Sequence, residues 1–303
     1  MPRFADNGGI RIAFEELGGA GGEPLLLVMG LGVSRFWWPA GLVGELVRRG
    51  FHVVAYDQRD AGESTHLPDH PAGSPIGALL RRPAPAYSAE DLTDDAVAVL
   101  DALGWPRAHV FGHSLGGLVA QRIAIRHPAR VLTVSTSAAV PSDARGLGVL
   151  RYLRPTTVAR FARLRAPDTP AGRLALAVAV VDVLAPGRHV DERDVREFVD
   201  KDAAHGVTSL RDAGAQSRQV GAKWQGDRLD RITAPTLVLH GDRDPLLRTA
   251  AARDIAAAVP GARLRILPGL GHFVTSEHWT SYADEIRRLA RQGRPTGPAR
   301  DGS

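Results

Sequence analysis

Residues 110–117 read V-F-G-H-S-L-G-G and set Ser114 two positions from a glycine on either side. A serine hydroxyl is a poor nucleophile at neutral pH until a base takes its proton, and histidine titrates in the range that allows this. Of the eleven histidines, His272 is the best placed, in L-P-G-L-G-H-F-V directly after the apolar run R-L-R-I-L. His113 adjoins the serine, but its side chain is expected to project away, as a structural histidine. The base in turn needs an acid to fix its tautomer and stabilise its charged form. H-G-D-R-D-P at 240–245 offers Asp242 and Asp244. Pro245 biases Asp244 toward an extended backbone that projects its carboxylate outward, whereas Asp242 reads as a turn residue. Attack by such a serine on a carbonyl leaves a tetrahedral oxyanion, which needs donors already in place. The amides of Leu115 and of Leu31, which follows Gly30 in V-M-G-L-G, are the candidates. The plainer alternatives are a tight turn at Ser114 and an ordinary strand-to-helix turn at the Gly30 glycines.

These positions require elements that bring them to one edge. P-L-L-L-V-M-G at 24–30, H-V-V-A-Y at 52–56, A-H-V-F at 108–111, residues 131–137, T-L-V-L-H at 236–240 and R-L-R-I-L at 263–267 are short apolar runs bounded by breakers, as expected of strands in a parallel sheet. Phe4–Asp6 and Ile10–Glu16 flank D-N-G-G and predict a hairpin with Asn-Gly at its turn. Helices are expected over 40–49, after the Ser88 cap with Asp91, over 115–126, near 246–258 and over 276–291. Strand and helix alternate at both ends of the chain, so the fold class is α/β, a mostly parallel central sheet flanked by helices. Residues 141–225 carry A-G-R-L-A-L-A-V-A-V-V-D-V-L and no clear strand, predicting a helical cap insertion. The expected organisation is a core of 1–140 and 226–292, the cap at 141–225 and a frayed tail at 293–303. Ser114 then sits where a buried strand gives way to a helix, in a strained turn that tolerates little bulk two residues either side.

Composition narrows the remaining possibilities. The chain has 303 residues, 44% hydrophobic and 23% charged, enough for a sizeable core. It has no cysteine, which removes disulfides and Cys-ligated zinc. No leader-like start and no apolar stretch of spanning length is present, predicting a soluble, cytoplasmic protein without a membrane partner. The net charge is +5, and only Lys201 and Lys223 are lysine. Basic residues are not interleaved with stacking aromatics, so nucleic acid is not an expected partner. Six arginines from Arg145 to Arg165 occur without an acid and read chiefly as a solvated face, with a docking site for a carrier protein or an anionic substrate as the lesser reading. His66, Asp69 and His70 resemble a ligand cluster, but Pro68 denies them helical spacing, and no metal site is expected. The proposed chemistry calls for no cofactor.

G-H-S-L-G-G, H-G-D-R-D-P and G-L-G-H together resemble the nucleophile, acid and histidine motifs of the α/β-hydrolase family, in order and over nearly the whole chain. V-M-G-L-G, Y-D-Q-R-D-A-G-E-S-T at 56–65 and Y-S-A-E-D-L are similar to its aclacinomycin methylesterase branch, whose members hydrolyse esters of polyketide-type compounds. Asp60 and Met29 stand where the broader family usually has glycine and histidine. The resemblance implies a serine hydrolase acting on a small, largely apolar ester, with Ser114 as nucleophile, His272 as base, Asp244 as its orienting acid, and the Leu31 and Leu115 amides as oxyanion donors. Trp37, Trp38 and Phe273 are candidates for the substrate pocket, with core packing as the equal alternative. A cofactor-free perhydrolase, a natural-product cyclase or thioesterase, and a non-catalytic small-molecule binder remain rival readings on the same fold.

Overall fold

The computed structural model describes residues 3–67, 77–78, 86–144, 146–187 and 190–293. Its strands are β1 (Arg3–Asn7), β2 (Ile10–Gly18), β3 (Glu23–Val28), β4 (Phe51–Tyr56), β5 (Ala108–His113), β6 (Val131–Ser137), β7 (Thr236–Gly241) and β8 (Arg263–Leu267). They form one sheet in the order β1-β2-β4-β3-β5-β6-β7-β8. β1 and β2 are antiparallel to their neighbours, and β3 to β8 run parallel.

The apolar strands are explained by cover on both faces. Leu26 and Val28 of β3 face a layer built from α2 (Ala89–Ala102), α3 (Leu115–Arg126) and α8 (Ala250–Ala258). Leu25 and Leu27 face the opposite layer, with α1 (Ala40–Arg48) and α9 (Ser276–Ala290). All four leucine and valine side chains are fully buried, each contributing about 2 kcal/mol by removal from water. α2 starts at a capping box in which the Ser88 hydroxyl accepts from the Asp91 amide and the Asp91 carboxylate accepts from the Ser88 amide. Between β6 and β7 lie α4 (Pro155–Phe161), α5 (Pro170–Leu184), α6 (Glu192–Ala204) and α7 (Ala213–Gly221), with no strand of the sheet among the described residues.

Two expectations need correction. Asn7 pairs with Ile10 inside the hairpin ladder, so Gly8 and Gly9, both at positive φ, make the turn in place of Asn-Gly. The helix expected from 246 begins at Ala250, because Leu246 and Leu247 are held elsewhere: both amides donate to Asp244, and Leu247 bridges to Leu153. The tail beyond Gly293, and His70 and Asp69 of the suspected ligand cluster, lie outside the described residues.

Candidate active site

The strand order reverses around β3, which lies between β4 and β5. The carboxyl ends of β3 and β5 are therefore neighbours whose connections leave in opposite directions, the place where open α/β sheets bind ligands. Val28 pairs with Gly112 at that edge, and two residues further along each chain, just past the strand ends, Gly30 and Ser114 meet directly. A Cβ at Gly30 would lie 3.3 Å from the Ser114 Cβ.

Ser114 occupies the sharp turn between β5 and α3, at φ 54° and ψ −120°. Such a backbone costs a non-glycine residue about 1–3 kcal/mol and persists only where its surroundings enforce it. The enforcement is visible. The Ser114 amide donates to the Ser137 carbonyl at 2.8 Å, and α3 passes so close to β3 and β5 that a Cβ at Gly116 would lie 2.0 Å from the Val28 carbonyl oxygen. Gly112 is equally tight, its notional Cβ 2.1 Å from the Gly116 oxygen.

The structure brings Ser114, His272 and Asp244 together from three separate loops. Ser114 Oγ is 3.1 Å from His272 Nε2, and His272 Nδ1 is 2.8 Å from Asp244 Oδ2. The other Asp244 oxygen, Oδ1, accepts from the Leu246 and Leu247 amides, both at 2.8 Å. Burial works to raise the pKa of this carboxyl; the facing His272, by charge and hydrogen bond, with His240 and the Leu247 amide, outweighs it and holds the group below the usual carboxylate range. An ionised Asp244 keeps the proton of His272 on Nδ1 and leaves Nε2 free to accept from Ser114. The His272 loop is tied to the end of α5, with the His272 and Phe273 amides donating to the Leu184 carbonyl at 2.7 and 3.3 Å.

The amides of Leu31 and Leu115 have no protein acceptor among the described residues. The Leu31 loop is braced from both sides. Gln58 Nε2 donates to the Met29 carbonyl at 2.6 Å, and the Gly32 amide donates to Gln219 of α7 at 3.3 Å. Gln58 falls within residues 56–65, which carry a family likeness and no chemical signal of their own, and nothing in the spacing of Gln219 points to the loop.

Asp242 is placed apart, as a turn residue accepting from the Gly269 amide at 2.7 Å. His113 lines the site, but its Nδ1 pairs with Ser137 Oγ at 3.2 Å. Burial, then the nearby His272, push its pKa down to about 3, so it stays neutral beside His272. His66 lies against the Gly62 carbonyl at 3.0 Å, and no cluster of metal-ligating side chains occurs among the described residues. The arginine run is divided: Arg154 donates inward to the Asp244 carbonyl at 3.0 Å, Arg151 pairs with Asp254, and Arg145 lies outside the described residues.

Ser114, Leu31, Leu115 and His272 open onto a cavity of about 1540 Å³. Trp37, Trp38 and Phe273 line it and are also packed into the protein, Trp37 stacking on Phe198 at 5.3 Å and Trp38 meeting Phe111 at 5.2 Å in a tilted arrangement. The β6–β7 helices form much of the remaining wall, through Val158, Leu176, Val181 and Val220 among others. Several polar ties join those helices to the loops at the sheet's carboxyl edge. Arg218 forks onto Asp60 with two 2.8 Å bonds. Asp202 accepts from Ser34 Oγ at 2.5 Å and from Trp37 Nε1 at 2.9 Å, and Gln219 Nε2 donates to the Arg59 carbonyl at 2.9 Å. Asp60 holds a φ of 63°, a conformation glycine adopts freely, and the fork with Arg218 accounts for an acid there. No helix among the described residues is long and apolar enough to cross a membrane.

Comparison with known proteins agrees with this geometry. A family model described as alpha/beta hydrolase fold matches residues 23–278. RutD of Variovorax paradoxus (strain S110), a provisionally assigned carbamate hydrolase, is 33% identical over 297 residues, covering 94% of this chain and 98% of its own. Rhodomycin D methylesterase DnrP of Streptomyces peucetius is 29% identical over 291 residues, covering 90% and 92%. A hydrolase from Pseudomonas aeruginosa PA01 superposes with a TM-score of 0.65 at 25% identity, over 95% of this chain and 97% of that one. With its sheet order, its strand-to-helix elbow and a match spanning most of its length, the chain belongs to the alpha/beta hydrolase fold family.

Proposed function

We propose that this hydrolase cleaves a carboxylic ester of a small, largely apolar molecule through an acyl-enzyme. The observation that carries the reading is the unbroken relay from Ser114 through His272 to Asp244 at the wall of a mostly apolar chamber. Ser114 Oγ attacks the ester carbonyl while Nε2 takes its proton, and the carbonyl oxygen becomes an oxyanion facing the Leu31 and Leu115 amides. Collapse of this intermediate expels the alcohol, which leaves with the proton from Nε2. Water, deprotonated by the same nitrogen, then attacks the acyl-serine and releases the acid. The β6–β7 helices act as a cap whose apolar side chains select the substrate. The likeness to a methylesterase, DnrP, supports an ester as the substrate.

A fluorophosphonate probe and p-nitrophenyl alkanoates test the reading together. The wild type should be labelled and turn over the esters, and Ser114→Ala should do neither; an unlabelled, inert wild type would leave a binding protein. The RutD likeness favours a carbamate as second reading, since it presents the same carbonyl to the same nucleophile. Steady-state comparison of p-nitrophenyl N-alkylcarbamates with the matched alkanoates separates the two.

A further inference from the structure

Among the described residues four arginines are buried: Arg35, Arg59, Arg122 and Arg218. Three are matched to a buried aspartate, Arg35 to Asp57, Arg59 to Asp95 and Arg218 to Asp60. Arg122 is the exception, and it is also the one of the four that lines the cavity holding Ser114 and His272. It is 7% exposed. Its Nη2 donates to the Ser142 carbonyl at 3.1 Å, its guanidinium lies 5.5 Å from the centre of the Trp224 ring, and its buried Nε has no acceptor. Glu90 acts on it only through longer-range attraction; burial dominates and pushes its pKa down to about 9, which leaves a cation at neutral pH.

A buried cation without an anion in contact is unfavourable, because desolvation is not offset by an adjacent opposing charge. A guanidinium offers five donors in a planar fork, and that fork matches the two oxygens of a carboxylate. We propose that Arg122 binds an anionic group of the substrate, and that the ester taken by this protein carries a carboxylate remote from its scissile carbonyl. The proposal rests on the ester-hydrolase reading and narrows its substrate class. Arg122 follows Ser114 by eight residues along α3, a separation of about 12 Å between α-carbons at 1.5 Å per residue. The side chain of a helical residue leans back toward the helix start. The carboxylate therefore lies on the order of 10 Å from the reacting carbonyl, across a wall that includes Leu118 and Val140.

The test compares mono-p-nitrophenyl esters of α,ω-dicarboxylic acids with p-nitrophenyl alkanoates of matched length. Acetates of ω-hydroxy acids against acetates of alkanols place the carboxylate on the alcohol side instead. In the wild type the kcat/KM ratio of anionic to neutral ester should peak at one chain length, at about tenfold or more and mainly through KM. In Arg122→Gln the ratio should fall to roughly one, and because it is taken within each variant, any general loss of activity cancels. A wild-type ratio near one in both series overturns the proposal, as does a preference that survives Arg122→Gln. Calorimetric titration of Ser114→Ala with monomethyl dicarboxylates reads binding without turnover, so it decides the proposal even if the wild type cleaves no ester. Affinity should drop about tenfold in Ser114→Ala combined with Arg122→Met, a variant that removes the buried charge with little change in bulk. Equal affinity, or no binding to either protein, overturns it.

Discussion

The carboxyl edge of the sheet and the helices between β6 and β7 hold the two sides of one chamber by different means. At the edge, backbone does the positioning: a strained turn at Ser114, an approach that admits no side chain at Gly116, and amides aimed at Asp244. The helical side is apolar and joined to the loops at that edge by a few polar side chains, Arg218 to Asp60 and Asp202 to Ser34 and Trp37. Ser114, His272 and Asp244 are thus held chiefly by backbone contacts, while the shape of the chamber depends on side chains throughout. Within one fold, an edge of this kind can serve many substrates, with the surrounding wall deciding among them.

Substitutions should separate the two sides, the largest effect coming first. Asp244→Asn keeps the shape but favours the wrong His272 tautomer, and kcat on a p-nitrophenyl ester should fall about a thousandfold or more; a loss under about tenfold would remove Asp244 from the relay. Gly116→Ala forces α3 away from β3, because its Cβ would meet the Val28 oxygen at 2.0 Å. Urea unfolding should show a loss of about 3 kcal/mol, and an unchanged midpoint would mean that the elbow is slack.

Asp60→Asn tolerates the same positive φ but leaves the buried Arg218 without its carboxylate, so stability should drop by about 2–3 kcal/mol with KM rising more than kcat falls. Adding Arg218→Met should recover at least half of the loss; no recovery would assign the defect to the backbone. His113→Gln has the smallest effect and appears only in acid. The folded pKa of His113 lies near 3, below the value of about 6.5 expected when unfolded. The unfolded chain therefore binds the extra proton, and stability present above pH 6.5 is lost as the pH falls toward 3. Between pH 7 and 5 the wild type should lose about 1–2 kcal/mol more than His113→Gln in paired urea melts.

The readable parts of this chain are those fixed by local backbone demands. The ends of α3 and β6 fall where glycine, proline and apolar runs predict, because each is bounded by residues that cannot continue the element. That Ser114, Asp244 and His272 could lie together is legible because an elbow, a proline-directed aspartate and a glycine loop each constrain a few consecutive residues. Long-range choices left weaker traces. The start of α8 slipped to Ala250 because Asp244 and Leu153, distant or out of helical register, claim the preceding turn. Arg122 in A-Q-R-I-A looks like a solvent-facing position, yet α3 is enclosed between the sheet and the β6–β7 side, burying Ala120, Gln121, Arg122 and Ile123 in succession. Pocket and core are not alternatives for Trp37 and Trp38: each lines the chamber and packs against an aromatic neighbour, Phe198 or Phe111.

The carbonyl of Leu184 receives the amides of both His272 and Phe273, so the ceiling of the chamber and the His272 imidazole hang from the same hook. Raising the ceiling at that end of α5 would pull the imidazole out of line with its alcohol. Any change that shifts that end of α5 is thus felt twice, in the room above Ser114 and in the aim of His272.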